Sequence, residues 1–130
     1  MKTKYTITLS LLVGMAIGSV AMQGLHAQAA KLKAWSVAEI EPIGGATVSA
    51  SYLKAARDAI ANAHGRALRT VNGRVIAVEG NAPPTRVAIV EWDSADDAVT
   101  FYKSETWKKL APEREKAQKT LRRYVVEAEQ

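Results

Sequence analysis

Residues 86–114 read RVAIVEWDSADDAVTFYKSETWKKLAPER. The segment opens with a short apolar, β-branched run that is bounded by turn residues and is typical of a central strand, Arg86–Trp92. Ser94 then favours a helix start, because its hydroxyl can cap free amides and two aspartates follow at the positive end of the helix dipole. Apolar residues recur at helical spacing, namely Ala98, Phe101 and Tyr102. A second cap-like residue, Ser104, begins another helical turn, so the segment predicts a strand and helices that pack back on it.

The part of the chain before this segment predicts one strand and one helix. Residues 34–41 alternate between two faces, as a strand does, until Pro42 and Gly44 end the pattern. A cap at Thr47, Ser49 or Ser51 precedes a helical stripe of apolar residues, namely Tyr52, Leu53, Ala56, Ile60 and Ala63. The pair His64-Gly65 ends this helix, and we expect Gly65 to take the left-handed conformation that glycine favours.

The middle of the chain predicts a hairpin. Asn72 and Gly73 separate two strand-like runs, residues 67–71 and 74–79. Asn-Gly between such runs favours a type I′ turn, because both central positions of that turn need positive φ. A last strand is predicted at residues 121–128, which completes the order strand, helix, strand pair, strand, helices, strand.

This order is typical of an α+β protein with a ferredoxin-like βαββαβ sandwich. We expect the strands that contain Glu39 and Glu91 to run parallel, side by side, in the centre of the sheet. Helices would cover Ala38, Ile40, Ala88, Val90 and Trp92, and would leave Trp35, Val37, Val87 and Ile89 uncovered. Because an apolar face of that size rarely stays in water, the sequence predicts a homodimer.

Residues 1–29 have the features of a secretory signal peptide. Lys2 and Lys4 precede an uncharged, mainly apolar run, and small-x-small cleavage sites end at Ala27 and Ala29. The apolar run of about 17 residues also reaches the lower limit for spanning a bilayer, so an uncleaved anchor is the alternative. Cleavage would leave one domain, residues 30–130, in the periplasm or outside the cell. We expect the chain to contact the membrane only through the signal peptide, before cleavage.

Composition argues against several classes of function. Loss of Lys2 and Lys4 with the signal lowers the formal net charge from +5 to +3, which is too weak a bias for a nucleic-acid partner. The chain has no cysteine, so disulfides and thiol chemistry are excluded. Once His26 leaves with the signal, His64 is the one histidine left, and a zinc or other transition-metal site has too few ligands. We expect no cofactor.

A set of residues spread along the chain resembles a known family. The set is Ala38-Glu39-Ile40, Tyr52, His64-Gly65, Glu79-Gly80, Arg86, Glu91-Trp92, Ser94, Ala98, Phe101-Tyr102, Ser104 and Arg114. In order and spacing it resembles the small bacterial family known as domain of unknown function 1330, over about residues 34–128. The resemblance implies the dimeric α/β-barrel type of the ferredoxin-like sandwich, without an assigned activity. The chain departs from the family at Arg66, where glycine is common, and at Trp92 and Trp107, which replace Phe and Tyr and would resize a pocket.

Three residues are candidates for catalysis. Glu39 and Glu91 share the uncovered face of two adjacent strands, and a close carboxylate pair can serve as acid and base because one pKa rises. The alternative is that each is neutralised by an arginine, such as Arg69, Arg122 or Arg123. His64 could act as a base near neutral pH, but a histidine at a helix end is more often a cap.

Six residues are candidates for ligand binding. Arg86 and Arg114 could clamp a carboxylate, although Arg114 could instead bind Glu79 or Glu127. The aromatic candidates for an apolar pocket are Trp35, Trp92, Tyr102 and Trp107, for which packing in the core is the alternative.

Three functions remain open from the sequence. The first is an exported homodimer that binds a small organic ligand in the barrel. The second is a cofactor-independent enzyme, similar to a monooxygenase or an isomerase, that acts on a small aromatic substrate. This alternative rests on likeness of fold. The third is a structural dimer without a ligand.

Overall fold

A computed structural model of the chain describes residues 32–70 and 72–129. The predicted signal peptide lies outside the described residues. The elements that the structure describes are β1 (Lys33–Pro42), α1 (Ala50–Asn62), β2 (Arg66–Ala67), β3 (Arg86–Trp92), α2 (Ala95–Lys103), α3 (Glu105–Lys108), α4 (Ala111–Ala117) and β4 (Gln118–Ala128). Within these residues, no helix has the length and apolar character needed to cross a bilayer.

The strands form a sheet in the order β2-β3-β1-β4, with every neighbouring pair antiparallel. This confirms the ferredoxin-like α+β sandwich. The expectation that the strands of Glu39 and Glu91 run parallel is wrong, since β1 and β3 pair antiparallel. The reason is the split βαβ arrangement: β1 and β2 run in one direction on either side of β3, and the strand between them runs the other way.

Serine residues are the N-caps of three of the helices, as predicted. The Ser49 hydroxyl accepts a hydrogen bond from the amide of Tyr52, that of Ser94 from Asp97, and that of Ser104 from Trp107. Each side chain satisfies an amide that has no partner inside the first helical turn. The buried residues of α1 are Tyr52, Ala56 and Ile60, which confirms the predicted stripe.

The core lies between the helices and one face of the sheet. Its buried residues are Tyr52, Ala56, Ile60, Val90, Trp92, Ala98, Phe101 and Trp107. Trp92 is fully buried and packs 5.2 Å from the Phe101 ring, centroid to centroid. Its indole N–H donates to Ser36 Oγ at 3.0 Å, and Ser36 Oγ lies 2.8 Å from the Tyr102 hydroxyl. The polar edge of a large aromatic residue is therefore satisfied inside the core.

The uncovered face is as apolar as predicted. The side chains of Trp35, Val37, Val87 and Ile89 are half-buried there. Across β4 they continue into Val126, which pairs with Trp35, and Tyr124, which pairs with Val37; both β4 residues are exposed.

The predicted hairpin at Asn72 is wrong. β2 contains only Arg66–Ala67, and residues 74–78 lie in no strand, although Asn72 and Gly73 do form a turn. Val71 lies outside the described residues. Beyond β2, the amide of Leu68 still bonds to the carbonyl of Ile89 at 2.9 Å, and the chain then leaves the sheet.

The end of α1 also differs from the prediction. His64 takes the left-handed conformation, with φ 64°, and Gly65 does not. Gly65 is needed for space instead: a Cβ there would lie 2.7 Å from Ile60 Cγ2 and 2.8 Å from Trp92 Cη2. The glycine therefore lets the end of α1 approach the sheet closely.

Candidate functional site

A cavity of about 230 Å³ lies between α1 and the helix-covered face of the sheet. The apolar residues that line it are Ile40, Val48, Tyr52, Leu53, Ala56, Ile60, Ala67, Leu68, Val87, Ala88, Ile89, Val90 and Trp107, of which Val87 and Ile89 direct their side chains to the other face of the sheet. The rest of the lining is Gln118 and four arginines, Arg57, Arg69, Arg86 and Arg123. No acidic side chain of the described residues lines the cavity. An apolar cavity with excess positive charge favours an apolar molecule that carries a negative group.

Arg123 is the most unusual member of this lining. It pairs with Ala38 in the sheet, which directs its side chain to the helix-covered face. Its guanidinium lies 4.5 Å from the ring centroid of Tyr102 and 4.9 Å from that of Trp107. None of the ion pairs in the described part of the chain includes it. Among the described residues, the charge is therefore stabilised by aromatic faces and by no carboxylate.

Two effects make the Arg123 charge costly. Burial lowers the pKa of the guanidinium, and the neighbouring Arg114 guanidinium lowers this pKa further, while Tyr102 and Tyr52 act in the opposite direction. Arginine still stays protonated at neutral pH because its ordinary pKa is so high. The side chain thus presents a permanent, half-buried cation that an anionic group would stabilise.

Arg114 is a second guanidinium against the same indole. It is 8% exposed, and its guanidinium lies 4.7 Å from the Trp107 ring centroid. Its Nη1 is buried without a hydrogen-bond partner among the described residues, and the nearest carboxylate, that of the exposed Glu115, lies 4.0 Å from Nη2. The alternative pairing with Glu79 or Glu127 is absent from the ion pairs of the described chain.

The predicted clamp of Arg86 with Arg114 is not formed within the cavity. Arg86 lines the cavity, whereas Arg114 lines a separate surface depression of about 400 Å³ beside α4. Arg123 and Gln118 lie between the two spaces and line both. Sequence reasoning considered Arg123 only as a partner for a glutamate. The signal that distinguishes it from Arg122 is the strand alternation, which puts adjacent arginines on opposite faces.

The structure does not bring Glu39 and Glu91 together. Glu39 lies opposite Val87 and Glu91 lies opposite Trp35, so four strand positions, about 13 Å, separate them along the sheet. The expectation of a close carboxylate pair is wrong because it required parallel strands.

Each of these carboxylates is paired separately, Glu39 with one cation and Glu91 with two. Arg122 hydrogen-bonds Glu39 through Nε and Nη2 and holds the pKa of that carboxyl below its usual value. Lys33 and Arg66 both donate to Glu91 Oε1, at 3.1 and 3.0 Å, and lower its pKa in the same way. The pairing of Glu39 with Arg122 confirms the alternative considered from the sequence. Glu91 is also neutralised, but by residues that were not foreseen.

The remaining candidates are distributed over the fold. Trp107 lines the cavity, Trp92 is enclosed in the core, and Trp35 lies on the uncovered face. Tyr102 borders the cluster of guanidinium and indole groups, and burial raises the pKa of its hydroxyl. His64 is exposed at the end of α1. Within the described residues, no three His, Asp or Glu side chains converge as metal ligands.

Comparisons with known proteins agree with the fold. The model of a family described as "Domain of unknown function (DUF1330)" matches residues 33–128, which confirms the resemblance seen in the sequence. No protein in the curated set matches the chain.

The chain is similar to solved structures of low sequence identity. The crystal structure of RPA0582, a protein of unknown function from Rhodopseudomonas palustris, has a TM-score of 0.59 and 11% identity, over 77% of this chain and 85% of that chain. Its methylated form has a TM-score of 0.56 and 12% identity, over 77% and 83%. SnoaB, a cofactor-independent oxygenase from Streptomyces nogalater, has a TM-score of 0.47 and 13% identity, over 76% and 95%. The two RPA0582 structures, at identities this low, establish a shared fold and nothing about activity.

Proposed function

The chain belongs to the DUF1330 family, whose function is unknown, and we propose that it is a homodimer that binds a small organic acid in the cavity between α1 and the sheet. The observation that carries this proposal is the half-buried guanidinium of Arg123, which lines a mainly apolar cavity without a carboxylate partner in the described chain.

The cavity defines the class of ligand by size and polarity. An apolar protein cavity of about 150 Å³ holds benzene, so a volume of about 230 Å³ suits one ring or a short alkyl chain with a carboxylate. The carboxylate would accept hydrogen bonds from Arg123, and Arg86 in the same lining adds positive charge. The ring or chain would bury apolar area against Trp107 and Ile60.

The dimer is supported by the uncovered face of the sheet. A central row of half-buried apolar residues continues into exposed Tyr124 and Val126, and ion pairs at Glu39 and Glu91 border that row. An apolar centre with a charged rim is the usual composition of a protein interface. A second copy would cover the same face of the first by two-fold symmetry.

Isothermal titration calorimetry tests the ligand. Benzoate and hexanoate serve as probes, with benzamide and hexanamide as uncharged matches. We expect each acid to bind about 10- to 100-fold more tightly than its amide, because a hydrogen bond to a charged group adds that much. Arg123→Gln should abolish the difference. Arg57→Gln, at the same cavity, is the control and should retain most of it.

Equal binding of acid and amide by the unchanged protein would refute the proposal. So would an Arg123→Gln variant that keeps its circular dichroism spectrum and still prefers the acid.

A further inference from the structure

Residues 74–79, which we name the arm, have the sequence of a strand but pair with no strand of the described residues. The arm has no regular secondary structure, and no backbone–backbone hydrogen bond joins it to the described part of the chain. Two of its apolar side chains are largely in water: Ile76 is 65% exposed and Val78 is 94% exposed. Backbone groups without hydrogen-bond partners and exposed β-branched side chains are together typical of a strand that has not yet paired with another strand.

The structure also contains a free strand edge. In the order β2-β3-β1-β4, the last strand, Gln118–Ala128, pairs with β1 on one side, and no strand of residues 32–70 or 72–129 lies on its other side. Its exposed apolar residues are Leu121, Tyr124 and Val126. A long strand edge of this kind is a template for another strand, and proteins usually manage such an edge by covering it.

The charges of the arm and of this edge match in spacing. The arm has Arg74 at one end and Glu79 at the other, five residues apart, and β4 has Arg122 and Glu127, also five residues apart. We propose that the arm of one copy pairs antiparallel with β4 of a second copy, with Arg74 opposite Glu127 and Glu79 opposite Arg122. The proposal rests on the homodimer part of the proposed function.

This register also places apolar residues opposite one another. Val75 faces Val126 and Ala77 faces Tyr124, on the side of the sheet that the second copy covers, and cross-strand pairs of this kind stabilise a sheet. The arm leaves its own sheet between β2 and β3, whereas β4 forms the opposite edge. The pairing therefore joins two chains, and it explains why the Asn-Gly signal does not produce a hairpin within one chain.

Cysteine cross-linking tests this register directly, because the chain has no cysteine of its own. Chains with Ala77→Cys are mixed with chains that carry Tyr124→Cys and are oxidised gently, and non-reducing electrophoresis separates covalent dimers. A disulfide forms only where the two Cα atoms come within about 7 Å. We expect this mixture to give a covalent heterodimer. The matched control, Ala77→Cys with Ala128→Cys, is displaced by four residues along the same face and should give none.

Charge reversal gives an independent readout. Arg74→Glu should weaken dimerisation by about tenfold in sedimentation experiments, because each of the two symmetric arms then places like charges together. Adding Glu127→Arg should restore the association, whereas Arg69→Glu, outside the arm, should leave the dimer unchanged.

The outcomes separate the arm from the dimer. Cross-linking at the matched pair together with rescue by Glu127→Arg supports the arm. A dimer in sedimentation that gives no cross-link at the matched pair, or equal cross-linking at the displaced pair, overturns the arm and leaves the dimer. A monomer at all concentrations overturns both the arm and the proposed homodimer.

Discussion

Replacing Gly65 by alanine should destabilise the protein through a clash in the core. The new Cβ would lie 2.7 Å from Ile60 Cγ2 and 2.8 and 2.9 Å from two carbons of the Trp92 ring. Trp92 is fully buried and hydrogen-bonded to Ser36, so it cannot move aside without losing contacts. Overpacking of this kind costs about 1–3 kcal/mol.

The backbone contributes in the opposite direction. Because Gly65 has no positive φ, alanine there also restricts the unfolded chain, which favours the folded state by about 0.4–1 kcal/mol. The net loss in the free energy of unfolding should be about 1.5 kcal/mol. For a domain of this size, that corresponds to a decrease in Tm of about 6–12 °C.

His64→Gly is the matched control at the adjacent position. His64 is exposed and has φ 64°, a conformation that costs a residue with a side chain about 1 kcal/mol or more relative to glycine. The substitution should leave stability unchanged or raise it by up to about 1 kcal/mol. Urea unfolding, with all variants at the same protein concentration, gives the comparison, since the stability of any protein that associates depends on its concentration.

Two results would refute this reasoning. A Gly65→Ala variant as stable as the unchanged protein would show that Trp92 and Ile60 do not enclose the glycine. A His64→Gly variant that is less stable would show that His64 is not the left-handed residue.

Two further predictions concern charged groups. The pKa of Glu39 is lowered chiefly by its hydrogen bond from Arg122, and that of Glu41 by Thr85, so the folded state binds fewer protons than the unfolded state. The stability that these two carboxylates contribute should therefore be fully present above their ordinary pKa of about 4.5, and it should be lost as the pH falls through their lower pKa values in the folded state. Glu39→Gln should weaken this pH dependence of the free energy of unfolding in urea titrations. Arg114→Met should leave the free energy of unfolding unchanged or higher by about 1 kcal/mol, because it removes a buried charge with an unpaired Nη1; a loss of more than 2 kcal/mol in urea unfolding would contradict this.

Helix starts and strand faces could be predicted from the sequence because they depend on near neighbours. Ser49 and Ser94 accept hydrogen bonds from the amides three residues ahead, so each interaction lies within four consecutive residues. The alternation of Ala34, Ser36 and Ala38 with their neighbours follows from a period of two.

The features that were missed depend on residues far apart in the chain. The antiparallel pairing of β1 with β3 follows from the path of the whole chain, and no local pattern encodes it. The same applies to Arg122 and Arg123, which are adjacent in sequence. Arg122 hydrogen-bonds Glu39, 83 residues away, whereas Arg123 packs against two aromatic rings. The left-handed conformation was predicted at Gly65 because glycine adopts it most easily. The glycine is instead required by the lack of space for a Cβ beside Trp92.

The placement of the tryptophans has a spectroscopic consequence. Trp92 is enclosed in the core with its N–H satisfied, Trp107 lies against two guanidinium groups beside the cavity, and Trp35 is half-buried on the uncovered sheet face. Indole emission shifts with the polarity and charge around the ring, so the three fluorophores occupy three different electrostatic environments. In chains that retain one tryptophan each, Trp92 emission would follow unfolding, Trp107 emission would follow occupation of the cavity, and Trp35 emission would follow association.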